Sequence, residues 1–324
     1  MKRRNNLFAA LLLSLMVMIA IVTILMIRQS GSTDSPRQIH VIIDNSSDNR
    51  WVQFIAGMHQ AAEDQGVSLT IMPTGKLSGL AEQESLISRA VASGTDGVII
   101  QLMAGPEAAS TLEAFSSSTN FEIVDGDDYE VMSNVVGIVS PDHTAIGEAL
   151  AQEVMKFADR PVGECYIGVI KGSDAMSSAQ ERLTGFEEAL KSGGGKIAWI
   201  LYQNNDSENI KDLLANYPVP DILVALDNSG MEAAGEYAAS LDKKITVIGT
   251  GSSMKAIYYL DSGIAQSLVV PEDYMMGYQS VTDLAEYIHR NRFLPLARTI
   301  AHRVIHRDTL FAEENQEILF PVQR

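Results

Sequence analysis

The most informative part of the sequence for the fold is 39-IHVIIDNSSDNRWVQFIAGMHQAAEDQG-66. It opens with the apolar run 41–43, crosses a polar loop, and continues from Trp51 with apolar side chains at helical spacing. A short run that is apolar on both faces is typical of a strand buried in a parallel sheet. Gly66 predicts the end of the helix. The stretch therefore predicts a buried strand, a polar loop and a helix that starts with an aromatic residue.

The same alternation continues along the chain and then begins again. Further strand-like runs are VSLTIMP, DGVIIQL, FEIVDGD and NVVGIVS, and a second series is CYIGVIKG, KIAWILYQ, DILVALDN, KITVIGTG and AQSLVVP. Helical patterns separate most of them. This order predicts an α/β fold made of two doubly wound halves, each with a parallel sheet.

Residues 1–35 predict a membrane anchor and a linker. A basic patch at residues 2–4 precedes residues 7–27, which carry no charge and are long enough to span a bilayer. The positive charge places the N-terminus inside and the rest of the chain outside the cytoplasm. We expect an uncleaved single-pass anchor, with a cleaved signal peptide as the alternative.

Composition excludes several function classes. The formal net charge of −17 opposes a nucleic-acid partner, because phosphate binding needs a basic face. Cys165 is the only cysteine, so no intrachain disulfide or cysteine zinc site can form. No complete phosphate-loop, dinucleotide or serine-nucleophile motif is present, and His302 and His306 lie in a strand-like pattern. We therefore expect no enzyme activity, no cofactor and no metal, although the acids Asp125, Asp127 and Asp128 leave acid–base chemistry open.

Polar side chains follow the predicted strands, where open α/β sheets bind ligands. These candidates are Asp48, Trp51, Gln101, Asp127, Asp128, Lys171, Ser173, Asp227, Asn228 and the turn Thr250-Gly251-Ser252. Arg182 joins them from inside the helix that follows the strand CYIGVIKG. Carboxylates and amides exchange hydrogen bonds with hydroxyls, a guanidinium adds a planar set of donors, and an aromatic face packs on a sugar ring. The set has the character of a site for a polyhydroxylated ligand.

The chain resembles the periplasmic sugar-binding proteins of the ribose, galactose and xylose type, which share the ligand-binding fold of lac-repressor-like regulators. The resemblance rests on the stretch quoted above and on SLISRAVASGTDGVIIQ, VSPDHTAIGEALAQEV, SSAQERLTGFEEAL, ILVALDNSGMEAAG and GIAQSLVVPEDYMMGYQSV. It implies two lobes joined by a three-crossing hinge. The implied lobes are 38–140 plus 271–297, and 141–270 plus 298–324.

The resemblance also implies roles for individual residues. Trp51 would stack on the sugar beside Asp48, and Gln101, Asp127, Arg182, Asp227 and Asn228 would bind its hydroxyls. Three positions depart from the family pattern: Gly251 replaces an expected Asp, an expected polar residue is Val269 or Val270, and Asp128 replaces an Arg common in pentose binders. The specific sugar stays open, as does a small polar ligand of another kind.

The implied function is an extracytoplasmic, membrane-anchored protein that captures a small ligand, such as a monosaccharide, for an ABC permease. The alternative is a ligand-sensing partner of a membrane histidine kinase, because an anchor without a lipid-modified cysteine is less usual for an importer. A transcription regulator is disfavoured, since a predicted membrane span stands where a DNA-reading helix would precede this domain.

Overall fold

A computed structural model describes residues 16, 18–19, 36–46, 48–105, 107–126, 133–172, 176–202, 210–290 and 297–320. The chain divides into a short unit, Met1–Arg37, and a large one, Gln38–Arg324. The predicted anchor and linker, 1–35, lies outside the described residues except for positions 16, 18 and 19. Within the described ranges, no helix combines the length and the apolar character needed to cross a bilayer.

The large unit contains two sheets, and the first has the strand order β11-β5-β4-β3-β1-β2, with its paired strands parallel. Its strands are β1 (Gln38–Ile42), β2 (Ser68–Ile71), β3 (Gly97–Ile100), β4 (Phe121–Val124), β5 (Val135–Pro141) and β11 (Ala297–Ile300). Its helices are α1 (Val52–Gln65), α2 (Leu80–Ala92), α3 (Ala108–Glu113) and α9 (Asp273–Arg290).

The second sheet repeats this arrangement with the order β12-β10-β9-β8-β6-β7, and only β12 pairs antiparallel among its described strands. Its strands are β6 (Ile167–Lys171), β7 (Ile197–Tyr202), β8 (Ile222–Ala225), β9 (Thr246–Thr250), β10 (Ser267–Pro271) and β12 (His302–His306). Its helices are α4 (His143–Phe157), α5 (Ser177–Ser192), α6 (Ile210–Leu214), α7 (Asn228–Ser240), α8 (Met254–Asp261) and α10 (Glu313–Leu319). The α/β fold with two mainly parallel sheets, predicted from the sequence, is confirmed.

Strand β1 shows why the chain is apolar from residue 41 to residue 43. Val41 packs in a core cluster with Phe54 and Leu284, from α1 and α9 on one face of the sheet. Ile42 packs in a separate cluster with Leu86 from α2 on the other face. Successive side chains of a strand point to opposite faces, so a strand covered on both sides needs apolar residues at every position.

In the first lobe, two glycines bring α1 and α9 into backbone contact. A Cβ added at Gly57 would lie 2.0 Å from the carbonyl oxygen of Tyr274, and one at Gly277 would lie 2.0 Å from that of Phe54. Only glycine fits at this distance. The contact fixes the start of α9 against the helix that follows the polar loop.

The second lobe repeats the device between α4 and α5. A Cβ at Gly147 would lie 2.1 Å from the carbonyl oxygen of Arg182, and one at Gly185 would lie 2.2 Å from that of Thr144. This crossing fixes the position of Arg182, along α5, relative to the start of α4.

The chain passes between the sheets three times: after β5, after β10 and between β11 and β12. The third passage differs from the predicted one. Residues 298–300 pair in register with 139–141 of β5, so they belong to the first sheet and not to the second lobe. The crossing is Ala301 alone. No glycine or proline interrupts the two short strands, so the sequence pattern does not show where one ends.

Candidate functional site

A crevice lies where the carboxyl ends of the two sheets face each other. It holds a cavity whose lining comes from both lobes, namely Arg50, Trp51, Asp125, Arg182, Asp227, Asn228, Thr250, Gly251, Ser252, Pro271, Asp273 and Met276. A neighbouring cavity shares four of these residues and adds Asp44, Asn45, Asp48, Lys76, Gly172, Met176, Ser178, Ala179 and Ser229. The order β2-β1-β3 and its counterpart β7-β6-β8 place the crevice at the switch points of both sheets.

Side-chain hydrogen bonds stabilise the polar loop that follows β1, residues 44–50. Asp48 caps a short 3₁₀ helix, Asn49–Trp51, and its Oδ1 accepts from the backbone NH of Arg50 at 2.9 Å. The carboxylate of Asp44 accepts from the backbone NH of Leu77 at 2.6 Å. Asp48 therefore orders the loop and also lines the second cavity.

Trp51 reaches the cavity, but it does not offer an open face there. Its ring is 2% exposed, and its Nε1 donates to the carbonyl oxygen of Asp44 at 2.8 Å. The guanidinium carbon of Arg50 lies 4.0 Å from the centroid of the indole, and the Phe54 ring lies 5.2 Å away. In this structure, Arg50 covers the surface that the family resemblance assigned to a sugar.

Asp125 is the polar centre of the first-lobe wall. Its Oδ2 accepts from Gln101 Nε2 at 2.7 Å and lies 3.7 Å from Arg50 Nη1, and its Oδ1 lies 3.1 Å from His143 Nε2. The backbone of Asp125 has a φ of 53°, an uncommon conformation for a residue other than glycine. Burial favours the neutral acid, but the hydrogen bond from His143 and the charges of Arg50 and Arg182 outweigh it, so the pKa of Asp125 lies below its ordinary value.

His143 connects the two lobes. It begins α4, and its Nδ1 lies 3.4 Å from Nη1 of Arg182 on α5. A guanidinium only donates hydrogen bonds, so Nδ1 accepts and the neutral imidazole donates through Nε2 to Asp125. The result is a line of contacts from Arg182 through His143 to Asp125.

Arg182 is buried and incompletely paired. Its Nε has no hydrogen-bond partner among the described residues. Burial lowers the pKa of Arg182 from its ordinary value, while the carboxylates of Asp125 and Asp227 oppose that shift. A buried guanidinium with an unused donor beside a cavity is suited to bind a ligand oxygen.

Asp227 and Asn228 begin α7 at the opposite wall. Asp227 Oδ1 accepts from the backbone NH of Gly230 at 2.8 Å, whereas its buried Oδ2 lacks a partner in the described part of the chain. Asn228 Oδ1 accepts from the backbone NH of Ser253 at 3.1 Å, which leaves its amide group as a donor. The wall thus presents an acceptor next to a donor.

Asp273, the first residue of α9, closes the cavity from the hinge side. Its Oδ2 lies 3.5 Å from the hydroxyl of Ser252. Burial, reinforced by repulsion from Asp125, raises the pKa of Asp273 to about 7.

The predicted residues take different places in this arrangement. Trp51, Arg182, Asp227 and Asn228 line the first cavity, and Asp48 lines the second. Gln101 is fully buried behind the wall, where its Oε1 accepts from Arg50 Nη2 at 3.1 Å, so it positions other side chains. Asp127 lies outside the described residues.

Arg50, Asp125, His143 and Asp273 contribute titratable groups to the site, and the predicted binding set did not include them. Asp125 directly follows β4 and Asp273 follows β10 by two residues, so strand ends were a usable signal for both. His143 also follows its strand, β5, by two residues and carries the same signal. Arg50 lies eight residues after β1, and its contacts with Gln101 and Asp125 are distant in sequence. Within the ranges that the structure covers, no three His, Cys, Asp or Glu residues are placed to hold a metal ion.

Comparisons with known proteins agree with this geometry. The model of the periplasmic binding protein domain matches residues 39–291, which confirms the family resemblance drawn from the sequence motifs. A search of curated proteins gave no match.

Solved structures share the fold at low sequence identity. A carbohydrate transporter solute-binding protein from Agrobacterium radiobacter, in complex with D-arabinose, has a TM-score of 0.77 at 20% identity and covers 89% of this chain and 100% of its own. GanP, a glucose-galactose binding protein from Geobacillus stearothermophilus, has a TM-score of 0.74 at 20% identity, with 86% and 100% covered. A chain from the XylFII–LytSN complex has a TM-score of 0.73 at 17% identity, with 84% and 98% covered.

Proposed function

We propose, from the premise that this chain belongs to the periplasmic binding protein domain family, that it is an extracytoplasmic solute-binding protein for a small, neutral, polyhydroxylated ligand of the monosaccharide class. One observation carries the proposal. Two residues that line the inter-lobe cavity carry buried polar atoms, the donor Arg182 Nε and the acceptor Asp227 Oδ2, that have no partner among the described residues. Leaving such groups unpaired costs about 1–3 kcal/mol each, and a ligand hydroxyl, which both donates and accepts, would satisfy them.

Several further features support a sugar-like ligand. The cavity lies between the lobes at the switch points of both sheets, where ligands of α/β folds bind. The lining mixes guanidinium, carboxylate, amide and hydroxyl groups, as recognition of many hydroxyls requires. Fold neighbours were solved with D-arabinose or are named for glucose and galactose.

Ligand capture would close the two lobes around the three crossings. Arg50 and Asp125 stand on the first lobe, whereas Arg182 and Asp227 stand on the second. A ligand that contacts both walls binds the closed form more tightly than the open one and shifts the equilibrium toward closure. The Arg182–His143–Asp125 line would add a direct contact that forms with closure.

We propose binding and not catalysis. The acid with the lowered pKa, Asp125, is already engaged by Gln101, Arg50 and His143. A general base needs access to a substrate proton, and these contacts occupy both oxygens of the carboxylate.

Delivery of the ligand to an ABC permease is the first proposed use of the closed form, with the binding unit held at the membrane by residues 1–35. A second use is ligand sensing together with a membrane histidine kinase. The XylFII–LytSN structure supports the second, because there a chain of the same fold is bound to another protein. Affinity purification of the full chain from membranes, followed by mass spectrometry, separates the two uses by recovering a permease or a kinase.

A thermal-shift screen of the full chain tests the binding proposal. A panel of pentoses, hexoses, polyols and small metabolites should contain a sugar that stabilises the protein, by about 2.7 kcal/mol at a hundredfold excess over Kd. Arg182→Ala should abolish the shift, whereas Arg89→Ala, at an exposed arginine on α2, should retain it. A panel in which no sugar stabilises the wild-type protein would contradict the proposal.

A further inference from the structure

Asp273 lines the cavity with neither an ion pair nor a short hydrogen bond to any described residue, whereas Asp227, which also has no described ion pair, accepts at Oδ1 from the backbone NH of Gly230 and the hydroxyl of Ser229. Three carboxylates, Asp125, Asp227 and Asp273, line the same cavity as two guanidinium groups, Arg50 and Arg182. The acids therefore outnumber the cations by one. A carboxylate in this crevice that faces no cation is disfavoured relative to the protonated acid.

The contacts identify which carboxyl group that is. Asp125 faces Arg50 and His143, and Asp227 caps α7 through Oδ1. Asp273 makes no ion pair with any described residue, and its described hydrogen bond is the long one from Ser252, 3.5 Å between the oxygens. The charged groups that act on it from the packed elements are Asp125, which repels the carboxylate, and Arg50 and Arg182, which attract it.

We propose that Asp273 is a specificity-determining residue that donates a hydrogen bond from its protonated carboxyl group to a hydroxyl of the neutral ligand. This assignment rests on the proposed function and names the regulation of that same site. A ligand that fills the cavity displaces water from Asp273, which disfavours the carboxylate further. A neutral hydroxyl accepts a hydrogen bond from the protonated acid, and no charge has to be buried.

The consequence is an affinity that depends on pH near neutrality. Burial and repulsion from Asp125 raise the pKa of Asp273 to about 7, so the donor form is populated below that value and lost above it. If only the protonated form binds, the apparent Kd is divided by the protonated fraction, and affinity at pH 8 is about tenfold weaker than at pH 6.

The experiment measures Kd by calorimetry for the full chain with D-arabinose, D-xylose, D-glucose and D-galactose at pH 6 and pH 8. The wild-type protein should bind at least one of these sugars about tenfold more weakly at pH 8. Asp273→Asn keeps an NH donor at both pH values and should bind with equal affinity at each. Asp273→Ser keeps a hydroxyl donor and serves as the second variant if the Asn variant is unstable.

Glu272→Gln is the matched control, because this neighbouring acid pairs with Arg303 outside the cavity. It should retain the tenfold change. A wild-type affinity that stays equal or rises from pH 6 to pH 8, or an Asp273→Asn variant that keeps the change, would overturn the inference while leaving the proposed function intact. Binding of none of these sugars by the wild-type protein at either pH would count against the proposed function, and the inference would fall with it. If Asp273 serves only as a first-turn acid of α9, its variants lower the melting temperature and leave the pH ratio unchanged.

Discussion

Asp125 shows how one residue in an uncommon backbone conformation can organise a binding wall. Its positive φ turns the chain directly after β4 and aims the carboxylate at Gln101, Arg50 and His143. The pKa of Asp125 is lower in the folded protein than in the unfolded chain, so the ionised carboxylate stabilises the fold at pH values above the ordinary carboxyl pKa. That contribution is lost as the pH falls through the acid range.

His143→Ala tests this residue directly. The change removes a donor to Asp125 and an acceptor for Arg182, so the free energy of unfolding at pH 7 should fall by about 3 kcal/mol. The loss should diminish at acid pH, where Asp125 becomes protonated. Urea unfolding across pH provides the measurement, and the exposed His59→Ala is the control. A variant as stable as wild type at pH 7 would remove His143 from the network.

Glu122 gives a second prediction at the same scale. It is fully buried in β4, and neither carboxylate oxygen has a partner among the described residues. Burial, with repulsion from Asp283, raises its pKa well above the ordinary value. The folded protein therefore binds a proton that the unfolded chain releases, and stability should fall as the pH rises above about 4.5, by up to about 1.4 kcal/mol per pH unit.

Glu122→Gln replaces the titrating carboxyl group with an amide that does not titrate. The unfolding free energy of this variant should therefore fall less than that of wild type between pH 5 and pH 8. Denaturant unfolding at several pH values measures the difference, with the exposed Glu113→Gln as control. Parallel curves for wild type and Glu122→Gln would show that Glu122 has an ordinary pKa.

Among the elements, α4 and α5 show how a helix crossing places a binding residue. Gly147 packs against the carbonyl oxygen of Arg182, so the close crossing and the position of the guanidinium share one cause. Gly147→Ala should lower the unfolding free energy by about 1–3 kcal/mol through overpacking and should weaken sugar binding as well. Gly75→Ala is the control, because a Cβ there meets nothing within 4 Å. Denaturant unfolding and calorimetry of both variants test this prediction. A Gly147→Ala variant that binds sugar with wild-type affinity would show that the helix crossing does not position the binding site.

Element types were predictable from the sequence because strands buried on both faces are apolar throughout and the helices keep their spacing. The β11–β12 boundary was not, because one residue separates two short strands in different sheets. At the site, strand ends indicated Asp227 and Asn228, whereas Arg182, inside α5, was implied by the family resemblance. Arg50 covers the face of Trp51 that was expected to stack on a sugar. No pattern in the sequence specifies the direction in which the Arg50 side chain points.

At the scale of the whole molecule, the lobes are in contact across the crevice. Met176, just before α5 of the second lobe, is buried in the first-lobe cluster that contains Leu77 and Leu102. Gln53 of α1 donates to the carbonyl oxygen of Leu319 in α10 at 2.8 Å on another part of the boundary. These contacts stabilise the closed arrangement before any ligand contributes.

Met176→Ser should therefore favour the open form. We expect a larger radius of gyration without ligand and several-fold weaker sugar binding, because the population competent to bind is smaller. Small-angle scattering and calorimetry measure both quantities, and Met254→Ser, at a 69% exposed methionine, is the control. An unchanged radius and affinity would show that Met176 does not hold the lobes together.

The most direct measurement of the central claim is a crystal structure of the chain with the sugar that stabilises it most. We expect the sugar ring between the lobes, with hydroxyls within hydrogen-bond distance of Arg182 Nε and Asp227 Oδ2. A sugar bound elsewhere, or a sugar in the crevice that leaves both atoms unpaired, would contradict it.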